Sequence, residues 1–267
     1  MLNIKLSFKI IIFGFIFTFF SSFGQSFFLG LFNSSIRNAL SISHGQFGSI
    51  YASATLLSSL VLVWIGKKID DMNILKFAAY VIIFLSASCF IFSKISSVIF
   101  LFLAIFLMRL AGQGLTSHTA STTISRFFEK NRGRALSTGW LGLSLAEFSL
   151  PVLIVFLLTF IEWRDIWFSI SILVIIILPV VTYVLVKDVK LDTREKSSNT
   201  ESTKEIRQWK RIEVLKDYRF YIISMTMLAM PWIATGSFVY QSFITTSKEW
   251  GPYIVAQSFM AYSIFSV

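Results

Sequence analysis

Two ionisable side chains stand where the surrounding residues leave them no polar company. Arg109 is the one charge in residues 95–125, and Glu147 is the one charge in residues 135–161. At 1.5 Å per helical residue, each lies about 20 to 25 Å from the nearest charged flanks, so a helix through either stretch carries its charge near the middle. A guanidinium in apolar surroundings binds an anion, and a carboxylate at the same depth balances it or carries a proton. The alternative is a permanent ion pair that only ties two helices together. Helical spacing places Arg109, Gln113, Thr116 and Ala120 on one stripe, and Ser144 with Glu147 on another. Gln25, beside Ser21, Ser22 and Gly24, is a further cavity candidate, with an interhelical hydrogen bond as its other reading. His118 lies nine positions beyond Arg109, about 180° around a regular helix, and reads as a packed or loop-adjacent histidine. His44 is remote from it, and the single cysteine, Cys89, sits in an apolar run as a packed thiol. No metal site and no cofactor follow from these residues.

The elements that hold these residues are set by composition. Of 267 residues 55% are hydrophobic and 14% charged, with 29 Phe and only 4 Pro, and the mean hydropathy is +0.73. A soluble domain carries about 25% charged residues, so a water-soluble globule is excluded, as are disordered and fibrous chains. Crossing a bilayer takes about 20 apolar helical residues, because every amide must find its partner inside the helix. Such runs occupy residues 10–36, 46–66, 77–93, 95–125, 135–161, 166–186, 220–247 and 250–267. The chain therefore reads as an all-α polytopic membrane protein. With the amino terminus inside, 19 Lys and Arg fall on the inner side and four outside. That is the positive-inside asymmetry of a cytoplasmic-membrane protein, so the formal charge of +10 calls for no nucleic-acid partner. The first run is too long for a signal-peptide core and reads as a retained helix. The long polar stretch is the one domain boundary: an amino-terminal six-span region at 1–187, a cytoplasmic linker at 188–219, and two further spans, the last partial, at 220–267. Ile206, Trp209, Ile212, Val214 and Leu215 either form an amphipathic helix on the inner leaflet or belong to a solvated linker. Gly112, Gly114, Gly139 and Gly142 let helices approach closely.

Local motifs carry a resemblance. Gly66 and Asp70 in WIGKKIDD, Arg109, Gly112 and Gly114 in RLAGQG, Trp163 and Arg164 in EWRDIW, and the loop RFFEKNRGRALS are together similar to the major facilitator superfamily of secondary transporters. The last resembles bacterial members related to monocarboxylate-type carriers. Asp71 and Asn73 stand where the family's loop has a basic residue and a glycine. GLSLAEFSLP replaces the Gly-Pro-x-x-Gly-Gly element of drug/proton antiporters and points away from drug exchange.

The resemblance implies two six-helix bundles that rock about a midplane site. On that pattern this chain holds the first bundle and the opening of the second, as a truncated chain would. The implied site residues are Arg109, Glu147, Gln25, Gln113 and Ser144, with Gly66 and Asp70 in the gating loop. The implied partners are a small-molecule substrate, tilted by Arg109 toward an organic anion, with or without a coupled proton, and the lipid bilayer. Two competing readings are a non-transporting half-bundle or partner subunit, and a membrane-embedded enzyme; for the latter no nucleophile elbow or metal-spaced ligand set is visible.

Overall fold

The computed structural model describes residues 4–128, 130–187, 189, 211–251 and 253–265. Seven helices among them are long and apolar enough to cross a membrane, and no strand occurs among the described residues. The protein is an all-α, multi-pass membrane protein, as its composition predicts.

The first span is α1 (Ile4–Ser21) and α2 (Ser26–Leu31), followed by α3 (Asn33–Leu40). Next come α4 (His44–Ile65) and α5 (Ile74–Ser93), joined by a tight turn at Gly66–Asp70. The fourth span is composite: α6 (Val98–Met108), a π-helical segment (Arg109–Thr116) and α7 (Ser117–Phe127). Then follow α8 (Arg132–Leu157), α9 (Trp163–Val186), the short α10 (Arg211–Lys216), α11 (Tyr218–Ser247) and α12 (Tyr253–Phe265). Polar caps fix several starts. Ser43 and Gln46 form a reciprocal capping box at α4, Asn73 accepts from the Leu75 amide at α5, and Asp217 accepts from the Arg219 amide at α11.

The helices follow the sequence reading except in the first run and the last, where 250–267 yields among the described residues only the 13-residue α12, shorter than the seven that are long enough to cross. In the first run a continuous helix over 10–36 is expected, but the chain tightens into a 3₁₀ turn at Ser22–Gly24, and Gln25 is extended with φ −80° and ψ 154°. Of the amphipathic stretch proposed in the linker, Ile206 and Trp209 lie outside the described residues. Ile212 and Leu215, in α10, are exposed.

Helices in lipid gain little from hydrophobic sorting and pack instead through small residues and interhelical hydrogen bonds. Span one runs against α8 in this way. Gly142 abuts the Phe15 carbonyl so closely that a Cβ would stand 1.9 Å from it, and the Thr18 hydroxyl donates to the Gly139 carbonyl at 2.7 Å. On the other flank α5 packs along α9, with the Ser86 hydroxyl donating to the Ser171 carbonyl at 2.9 Å. Trp167, fully buried, is enclosed by Phe28, Phe32 and Phe92.

The last two helices, α11 and α12, close on the first six spans. Asn33 donates to the Val239 carbonyl at 2.5 Å, Gln241 donates to the Phe27 carbonyl at 3.3 Å, and Phe259 of α12 sits between Phe27 and Phe238.

Candidate functional site

The centre of the molecule is the crossing of two irregular helices. Gly24, at the break in span one, lies directly on the π-helical segment of span four. A Cβ there would be 2.4 Å from the Met108 carbonyl and 2.6 Å from the Gln113 amide, and one on Gly112 would be 2.6 Å from the Gly24 amide. Only two glycines permit this approach. In the π segment the Thr116 hydroxyl donates to the Ala111 carbonyl five residues back, and the Ser117 hydroxyl donates to that of Gln113. Such wide turns often mark functional positions in helices.

Arg109 begins this segment and is 94% buried. A guanidinium so placed needs acceptors, and the break supplies them. Nη1 donates to the Gly24 carbonyl at 3.0 Å and to the Ser26 hydroxyl at 3.3 Å. The Tyr51 hydroxyl donates to the same Ser26 oxygen at 2.9 Å, and the Tyr51 ring lies under the guanidinium, 5.4 Å from its carbon. Gly24 ends a helical stretch, and the last carbonyls of a helix carry partial negative charge, so a cation is favoured there. Nε of Arg109 is buried with no hydrogen-bond partner among the described residues.

Glu147 of α8 is also buried, 8% exposed. From the Gly142 contact with Phe15 and Thr18, five further residues advance about 7.5 Å along α8. That brings Glu147 level with the Ser22–Gly24 turn, which α8 touches. It lies within electrostatic reach of the Tyr262 hydroxyl on α12. Arg109 donates to the carbonyl at the break, and Glu147 stands on a helix that touches the same turn. The partners described for Arg109 are a backbone carbonyl, a hydroxyl and an aromatic face.

Of the other expected site residues, Gln25 is half-buried at the break itself, Gln113 half-buried in the π segment beside Gly112, and Ser144 half-buried on α8 one turn before Glu147. Thr116 and Ala120 are fully buried, the former turned to its own backbone, so neither lines a cavity. Ser26 and Tyr51 were not expected; the polar run SSFGQS is their only sequence signal, and nothing in span two marks Tyr51. Among the described residues, a cavity of about 360 Å³ is lined by residues 237–262 alone, and a neighbouring one of about 280 Å³ adds Gly30, Leu31 and Val155 from the first six spans; the two share Gln241, Thr245, Trp250 and Val255.

The Gly66–Asp70 turn is held by the far end of span four. His118 Nε2 is 3.1 Å from the Gly66 carbonyl, Arg126 donates to the Ile69 carbonyl at 3.1 Å, and its guanidinium pairs with the Asp70 carboxylate. His118 is therefore loop-adjacent, as its position suggests. Cys89 is fully buried. Among the described residues no three His, Cys, Asp or Glu side chains gather as a metal site would.

Comparison with known proteins supplies one match. The family model described as Major Facilitator Superfamily matches residues 14–267. No curated protein and no solved structure matches the chain.

Proposed function

The chain belongs to the major facilitator superfamily of membrane transporters, and on that footing we propose that it is a secondary active transporter carrying a small organic anion by alternating access. The observation that carries this reading is Arg109. Its two described hydrogen bonds both leave from Nη1, while Nε is buried and lacks an acceptor. The Nε–Nη2 edge presents two parallel N–H groups, the geometry that a carboxylate takes up side-on. In this reading Arg109 holds the anionic group of the substrate. Glu147, at the same depth, balances the charge or accepts a coupled proton, and Gln25, Gln113 and Ser144 supply neutral hydrogen-bonding groups around it. A discontinuous helix at mid-depth is a recurrent way to build such a site, because its free backbone ends serve as ligands.

Residues 1–187 form the first rocking unit and 220–267 begin the second, with 188–219 as the cytoplasmic linker. The Gly66–Asp70 turn, tied to span four by Arg126 and His118, locks one state from the inner side. The amino terminus is cytoplasmic and the membrane is the inner one, as the lysine and arginine asymmetry favours.

Uptake into proteoliposomes from a panel of labelled monocarboxylates and dicarboxylates, with and without a pH gradient, tests the proposal. Uptake of at least one carboxylate is expected, lost in Arg109→Ala and freed of its dependence on the gradient in Glu147→Gln. Unchanged uptake in both variants removes Arg109 and Glu147 from the mechanism.

A further inference from the structure

A separate slot, away from the central crossing, is built for a different ligand. It has a volume of about 430 Å³ and opens between spans two, three and four beside the Gly66–Asp70 turn. Its walls are apolar: Ile65 of α4, Phe77, Val81 and Phe84 of α5, and Leu115 at the back. Phe77 to Phe84 is seven helical residues, so the slot runs about 10 Å from the end of span three toward the membrane centre. At its mouth stand Lys68, an exposed side chain, and Tyr80, 62% exposed. Lys68 is the single charged lining residue. Asp70 is taken by Arg126, and no carboxylate of the described residues pairs with Lys68. Lys67 and Lys76 are also exposed on this connection, against one exposed carboxylate, Asp71.

We infer that this slot holds one anionic phospholipid, its headgroup on Lys68 and one acyl chain along the apolar walls. A narrow apolar channel with a cation at the depth of the headgroups matches an amphiphile with a negative head and a long tail. A free phosphate would meet Lys68 but leave the channel unfilled, and a zwitterionic lipid would gain nothing net from the cation. The occupant braces the Gly66–Asp70 turn from the lipid side, as Arg126 and His118 brace it from span four.

Native mass spectrometry of the detergent-purified full chain reads this directly. The protein is incubated with phosphatidylglycerol, with phosphatidylcholine of the same chains, or with short-chain dihexanoyl phosphatidylglycerol. Long-chain phosphatidylglycerol is expected to be retained about fivefold better than phosphatidylcholine, and on the order of tenfold better than the short-chain form. Lys68→Gln abolishes the headgroup preference, while Lys130→Gln, an exposed lysine elsewhere on the same side, leaves it intact. Millimolar inorganic phosphate does not displace the lipid. The inference is overturned if both headgroups are retained equally, if Lys68→Gln keeps the preference, if the short-chain lipid binds as well as the long, or if phosphate alone displaces it. Transport is not read, so the outcome is independent of the proposed substrate.

Discussion

Replacing Gly24 with alanine adds one methyl group at the crossing of spans one and four, where backbone faces backbone. That carbon would stand 2.4, 2.6 and 2.8 Å from the Met108 carbonyl oxygen, the Gln113 nitrogen and the Gly112 Cα. All three are backbone atoms, so no side chain can swing away, and spans one and four must part by about an ångström to restore ordinary contact at 3.4 Å. Overpacking of a core typically costs about 1 to 3 kcal/mol, and a site walled by backbone belongs at the upper end. The same displacement lengthens the hydrogen bond from Arg109 to the Gly24 carbonyl, whose loss alone is worth about 1.5 to 3 kcal/mol for a charged donor. A total of about 3 to 6 kcal/mol, depending on how far that hydrogen bond is lost, at about 2 to 4 °C per kcal/mol lowers the melting temperature by about 6 to 24 °C. Thermal scanning of the purified protein in a single detergent measures it. Gly236→Ala in α11 is the matched control, because a Cβ there meets nothing within 4 Å; removing a helical glycine in open space leaves Tm unchanged or raises stability by up to about 1 kcal/mol. Equal losses in the two variants, or no loss in Gly24→Ala, would refute the crossing as a close backbone contact.

Other expectations are simpler. Ser26→Ala removes the acceptor shared by Tyr51 and Arg109 and is expected to cost about 1 kcal/mol, seen as a Tm shift, with a larger effect on uptake than on stability. Breaking the half-exposed Asp70–Arg126 pair by Asp70→Asn should cost no more than about 1 kcal/mol of stability. If the turn gates the inner side, transport in that variant falls further than its Tm, and the charge-reversed double variant Asp70→Arg with Arg126→Asp restores part of it. Cys89 is fully buried in α5, so a maleimide should label the folded protein negligibly and the denatured protein stoichiometrically; fast labelling without denaturant would contradict the packing of α5 against α9.

The course of most spans was readable from the chain alone, because charge-free length is a direct physical requirement of hydrocarbon. So were the close approaches at Gly112, Gly139 and Gly142, since small residues are what helix contacts in lipid demand. What Arg109 touches was not readable. Its principal partner is the carbonyl of Gly24, a backbone group that every residue possesses and that becomes available only because the helix ends there. The break is equally hidden, since Ser, Gly and Gln at 21–25 are compatible with a continuous span, and only packing against span four decides otherwise. The stripe through Thr116 and Ala120 assumes 3.6 residues per turn across a stretch that winds more widely, and both of these residues are fully buried.

The wide winding of residues 109–116 also governs where everything after it points. Each residue inserted into or deleted from a helix swings the following part by about 100°, and His118 and Arg126, the two clasps on the Gly66–Asp70 turn, both come after it. Were those eight residues rewound into a regular helix, the clasps would rotate away from the Gly66 carbonyl and the Asp70 carboxylate. The middle of span four is thus geared to its end, as a key's bow is to its bit: a change of pitch at the guanidinium is delivered as torque at the membrane surface.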